Sequence, residues 1–232
     1  MAGLNNNSSQ LLEAGDFNRA RGRYDSAFDQ YFEAFTQELC EEAQKRLTSM
    51  TLEGLLKPDQ IERLFQYHNS FDSHRNGIAS FNVGLMYEQG LGGTKQDLSV
   101  AAQYYEKAVE QGIPDAYANL GQILISGSGV PWGIQMNVSR GIALLEQGVE
   151  KGSRHCAYTL GCMYKSGDLI PVNDRRAAYY LAIASLAKHE HAQRLLILLQ
   201  QTTRSSFDAE IGAARKQVDD WELITLNDQG FI

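Results

Sequence analysis

Three stretches of this chain repeat one another: Ala79-Ser-Phe-Asn-Val-Gly84-Leu-Met-Tyr87-Glu-Gln-Gly90, Ala116-Tyr-Ala-Asn-Leu-Gly121-Gln-Ile-Leu124-Ile-Ser-Gly127 and Ala157-Tyr-Thr-Leu-Gly161-Cys-Met-Tyr164-Lys-Ser-Gly167. The glycines Gly84, Gly121 and Gly161 are spaced by 37 and 40 residues. That period suits one helix-turn-helix unit, which cannot bury its apolar face alone and must stack on its neighbours. The fold class that follows is all-α, a right-handed α/α superhelical solenoid of stacked helical hairpins. Function is then to be sought on surfaces.

Each unit reads as two helices. An intrahelical glycine costs about 0.8 to 1 kcal/mol relative to alanine, so Gly84, Gly121 and Gly161 need a packing reason, and close crossing by the partner helix supplies it. Gly90, Gly127 and Gly167 stop the first helices, where a left-handed cap is easiest without a Cβ. Asp97, Asn137 and Asn173 then stand four residues before the small residues Ala101, Gly141 and Ala177, each with the side-chain oxygen a helix start needs. Tyr104-Tyr105, Leu144-Leu145 and Tyr179-Tyr180 continue the second helices, with Ala108, Gly148 and Ala184 completing the buried face. Gly112 and Gly152 close the first two of these helices; the third copy lacks that glycine. Copy two is longer, and the extra residues fall in a loop around Val130-Pro131-Trp132-Gly133. Trp132 has two readings, a partner anchor at a loop tip or a ring folded back onto the solenoid.

A formal net charge of -7 and the absence of a Lys/Arg block argue against nucleic acid as the partner. Apolar runs such as Leu195 to Leu199 fall far short of the roughly 18 to 20 residues of a membrane span. Residues 1 to 10 show neither the basic start nor the apolar core of a secretory signal. Cys40, Cys156 and Cys162 do not make a disulfide framework. Cytoplasmic residence is the default expectation, with a trimmed N-terminus or delivery into a host left open.

With these residues in view, the pattern Ala-x3-Leu-Gly-x2-Tyr-x2-Gly, then Asp/Asn, then Ala-x2-Tyr-Tyr-x-Lys-Ala, resembles the SEL-one-like repeat (SLR) family over about residues 77 to 188. Gly141 for Ala, Leu124 for Tyr, the long loop and Asp168 for a loop Gly are the departures. Tyr24, Ala27, Tyr31 and Ala34, with Gly15 ahead of them, resemble one tetratricopeptide pair. The stripe Ile211, Ala214, Val218 and Trp221 is similar to the C-terminal cap of bacterial members. The expected layout is a disordered stretch at 1–9, a tetratricopeptide-like pair plus one linking helix at 10–76, three SLR units with a following helix at 77–200, a capping helix at 201–226 and a tail at 227–232.

The resemblance implies a protein or peptide partner held in the concave groove of the first helices, with the protein acting as an adaptor or scaffold. Carried onto this chain, the groove positions are Phe81, Leu85 and Glu88 in copy one, Ala118, Gln122 and Ile125 in copy two, and Tyr158, Cys162 and Lys165 in copy three. An alternative placement packs Phe81 and Tyr158 inside the stack and leaves only the polar members to solvent. The family also allows a regulatory or effector role in a bacterial secretion, signalling or envelope pathway. No catalytic residue is nominated: no nucleophile elbow, Cys-His pair or carboxylate pair stands out. No metal or cofactor is expected either. Cys156 and Cys162 point in separate directions on one helix, and His155, His189 and His191 lack the i,i+4 spacing of two ligands on one helical face. The sequence leaves the oligomeric state open.

Overall fold

The computed structural model describes residues 6–38, 40–70, 77–92 and 94–228. They form α1 (Asn6–Ala20), α2 (Tyr24–Glu38), α3 (Glu41–Leu52), α4 (Pro58–Ser70), α5 (Gly77–Gln89), α6 (Leu98–Glu110), α7 (Pro114–Ser126), α8 (Val138–Glu150), α9 (Arg154–Ser166), α10 (Asp174–Leu186), α11 (Ala192–Thr203) and α12 (Asp208–Asp228). A single 3₁₀ turn, Val130–Trp132, lies in the α7–α8 loop, and no strand occurs among the described residues. The architecture is an α/α solenoid. Helices pair as α1/α2, α5/α6, α7/α8 and α9/α10, and each pair of the repeat region meets the next through its second helix.

The glycine positions explain the pairing. A Cβ on Gly84 would sit 2.6 Å from the Tyr105 ring, one on Gly121 3.1 Å from the Gly141 carbonyl oxygen, and one on Gly161 2.7 Å from Leu181 Cγ. Gly15 repeats this in the first pair, where a Cβ would meet Tyr31 Cε1 at 2.3 Å. Each of the three glycines in the repeats stands five residues after a buried small residue, Ala79, Ala116 or Cys156. The same spacing counted from Ala43 gives Thr48 in α3, and from Ala192 gives Ile197 in α11. Neither α3 nor α11 pairs closely with the helix that follows it. Without glycine at the crossing, the partner backbone has no room to approach.

Capping follows the expected residues. Asp97 accepts hydrogen bonds from the Ser99 and Val100 amides, Asn137 from Arg140 and Asn173 from Arg176. Gly90, Gly127 and Gly167 have φ of 68°, 69° and 77°. In the third copy the place of Gly112 and Gly152 is taken by Lys188, whose φ is 61°.

The departures in copy two are matched in pairs. Copies one and three stack Tyr87 on Tyr104 and Tyr164 on Tyr180, with ring centroids 5.9 and 5.8 Å apart. Copy two holds Leu124 and Leu144 at those places, both buried in the same core. The third pair is therefore Tyr180-Leu181, one residue later than the Tyr179-Tyr180 expected, and Leu181 rather than a tyrosine covers the crossing glycine. At the seams between units, Ala108 and Ala116 in the first are replaced in the second by Gly148 and Cys156, with a Cβ on Gly148 falling 2.3 Å from Cys156 Sγ.

Two regions differ from the expected layout. The segment between the first pair and the repeats holds two helices, α3 and α4, where one was expected. α1 begins at Asn6 and Ser8 is fully buried, so residues 6–9 of the stretch expected to be disordered are helical; residues 1–5 lie outside those described. The C-terminal helix packs on α10, the last helix of the repeats, and not on α11, which precedes it in the chain. The turn after α11 places Arg204 and Phe207 at φ of 55°, and Phe207 is buried in the main core. α12 then runs back along α10, burying Ala214, setting Glu210 3.7 Å from Arg175 and laying Trp221 against Gly152 in the α8–α9 turn. The apolar stripe of Ile211, Ala214, Val218 and Trp221 is the face that packs. α12 reaches Asp228, and residues 229–232 of the expected tail lie outside the described residues.

Candidate functional site on the inner helical face

First helices α7 and α9 approach one another more closely than the second helices α6, α8 and α10, which meet through long side chains such as Arg140 with Glu106 and Tyr180 with Glu146. The first helices thus line the inner face of the solenoid, and the expected groove positions fall on those helices at i, i+4 and i+7 spacing.

In copy one that face is closed. Phe81 and Leu85 are 9% and 8% exposed, so they are core residues and offer a partner little surface. Thr48 of α3, with Leu64 and His68 of α4, covers this part of α5. Between them Thr48 Oγ1 donates to Asn82 Oδ1 at 3.0 Å, and Asn82 Nδ2 lies 3.3 Å from His68 Nε2. Burial drives the His68 pKa down to about 4. Glu88 is half-buried and accepts the hydroxyl of Tyr105, which in turn accepts from Asn119 Nδ2 at 3.0 Å. Asn82 and Asn119 tie units together.

Copy two is open at Ala118 and Gln122, the first half-buried and the second exposed. Ile125 is 4% exposed and belongs to the core, because Gly141 leaves space for it: a Cβ there would meet Ile125 Cγ1 at 2.5 Å. Trp132 is half-buried against the core, whereas its neighbours Val130 and Met136 are 57% and 49% exposed.

Copy three has the most developed surface. Tyr158, Cys162 and Lys165 are each half-buried on one helical face. The Tyr158 ring stacks on His189 from the α10–α11 turn, centroids 4.1 Å apart and planes 15° from parallel. His155 and His191 stand beside His189 at 5.4 and 6.2 Å. Sequence reasoning named Tyr158 but missed His189 as its partner. The signal was present as three histidines at turn positions, but their convergence depends on adjacent units bringing two turns together. Burial raises the Cys162 thiol pKa and pushes that of Cys156 up to about 12, so both sulfurs hold their protons near neutral pH. Among the described residues no group of three or more His, Cys, Asp and Glu side chains is placed to hold a metal ion. On the outer side, an open groove of about 440 Å³ runs between α8, α10 and α12 past Glu146, Arg176 and Tyr179.

The Sel1 repeat family model matches residues 77–113, 114–153 and 154–189, one helical hairpin each. Residues 77–189 are three Sel1 repeats. Among solved structures it is similar to a Sel1 repeat protein from Oxalobacter formigenes, 21% identical, with 90% of this chain and 84% of that one covered at a TM-score of 0.62. It also matches c5321, a protective antigen present in uropathogenic Escherichia coli strains displaying an SLR fold, at 16% identity, a TM-score of 0.40, and coverage of 92% of this chain and 53% of that one. Among curated proteins none matches. The Sel1 match assigns a helical-repeat scaffold and leaves the partner to be read from the surface. No helix among the described residues is long and apolar enough to cross a membrane.

Proposed function

We propose that this Sel1-repeat protein is a non-catalytic adaptor that holds a protein or peptide partner against the inner face of α7 and α9. Copy one is sealed by α3 and α4, so the contact surface is Ala118, Gln122, Tyr158, Cys162 and Lys165. The observation that carries this reading is Tyr158, an aromatic ring fixed by its stack on His189 and still half open to solvent. Rigid, partly exposed aromatics within a polar surround are the usual anchors of binding energy. Neither repeat cysteine has the lowered pKa of a nucleophile, which also favours binding over covalent catalysis.

The test is the affinity of the native partner for Tyr158→Ala. Loss of the ring should weaken binding by about 1 to 3 kcal/mol, with an unchanged far-ultraviolet circular dichroism spectrum. Full affinity in Tyr158→Ala would remove the inner face as the binding surface.

A further inference from the structure

The strongest unabsorbed feature is the charge gathered around the Tyr158–His189 stack. Elsewhere several cations are paired with carboxylates: Arg19 with Glu53, Arg46 with Asp16, Lys57 with Asp25 and Arg140 with Glu106. The start of α9 and the α10–α11 turn gather cationic and imidazole side chains. Arg154 donates to the backbone carbonyls of Ala187 and Lys188 at 3.5 and 3.4 Å, which draws its charge against the turn carrying His189. His155 and His191 flank the same ring, and Lys165 extends the patch along the inner face of α9 through Cys162. Among the described residues no ion pair engages Arg154, Lys165 or Lys188, and Glu190 is the carboxylate whose field reaches His189. A chain of net charge -7 therefore sets cations without an ion pair beside its half-buried aromatic anchor.

We infer that the inner face between copy three and α11 takes an acidic, linear peptide segment, its carboxylates set among Arg154, His155, His191 and Lys165 and an apolar side chain against Tyr158. This rests on the reading of the inner face as the binding surface and adds the chemistry of the occupant. Charge-assisted bonds from arginine and histidinium to carboxylate supply specificity, and opposite charge around the anchor speeds encounter.

The patch also sets a pH dependence. His189 is held below the ordinary histidine value by burial and then by His155, Arg154 and His191, with Glu190 opposing. Tyr158 faces it from α9, and Lys188 precedes it in the turn. A bound carboxylate offsets that repulsion and favours the protonated His189 ring, so binding takes up a proton and tightens as pH falls through the histidine range.

The experiment is a selection of random displayed peptides on the full-length protein near pH 6, followed by affinity measurements on the retained sequences. Retained peptides should be rich in Asp and Glu, bind about fivefold more weakly at a pH near 8, weaken with added salt, and lose about tenfold in the variant His155→Gln/His191→Gln, whose two sites are exposed. Retained peptides that are neutral or basic yet lose affinity in Tyr158→Ala overturn this inference and leave the inner-face reading standing. Peptides indifferent to Tyr158→Ala overturn both. A selection that retains no sequence overturns the linear-peptide inference and leaves the inner face to a folded partner.

Discussion

At Lys188 the backbone adopts a left-handed conformation, φ 61°, that copies one and two give to Gly112 and Gly152. A side chain with a Cβ costs roughly 1 to 2 kcal/mol there, offset in part by the greater freedom glycine has when unfolded. Lys188→Gly should therefore raise stability by about 1 kcal/mol in urea titration; a loss of stability would mean that the lysine side chain holds the turn. His68 gives a second expectation. Its folded pKa of about 4 lies below the ordinary 6.5, so between those values the unfolded chain binds the proton and the native state does not. Stability is complete above the ordinary value and is lost as pH falls through about 4, by up to about 3 kcal/mol. His68→Gln should flatten this part of the pH profile measured by urea midpoint, and an unchanged profile would assign the acid sensitivity elsewhere. The sequence itself sets His68 on one helical face with Ile61, Leu64 and Phe65. It did not show Thr48 and Asn82 closing over it, since α3 is a short helix with no repeat pattern to announce it.

Between helices, the glycine rule was legible in the sequence because a repeated intrahelical glycine needs a crossing partner, and Gly84, Gly121 and Gly161 each have one. The compensations were not, because they lie across elements: Gly148 is small so that Cys156 can be large, and Gly141 is small so that Ile125 can be buried. That is also why Ile125 was expected in the groove and is found in the core. Gly148→Ala forces a methyl onto Cys156 Sγ and should cost about 1 to 3 kcal/mol. Cys156→Ala alone leaves a small void and should cost about 1 kcal/mol. The double variant removes the clash with sulfur but keeps the new methyl 2.8 Å from Tyr117 Cβ, so its loss should fall short of the sum of the single losses by about 1 kcal/mol. Additive losses in that thermodynamic cycle would deny the coupling. The path of α12 was beyond sequence reasoning for a similar reason. Its apolar stripe was visible, but the helix it would cover depends on two left-handed residues, Arg204 and Phe207, turning it back onto α10.

Over the whole molecule two cores meet in α5, which gives Met86 to the N-terminal cluster and Phe81 and Leu85 to the repeat cluster. The irregular α3/α4 step closes the inner face over copy one, and copies two and three remain open. Fold and repeat boundaries could be read from the chain. The groove could be read only in part, because position within a repeat sets which face a residue occupies, while neighbouring units decide whether that face is covered. The central claim, that the open inner face of α7 and α9 is where a partner sits, is tested most directly by placing a photo-crosslinking side chain at Gln122 on that face and at Gln103 on the exposed side of α6, then irradiating native cells. The account predicts that one partner is captured from position 122 and none of it from position 103. Capture of the same partner from 103 with nothing from 122 would contradict it.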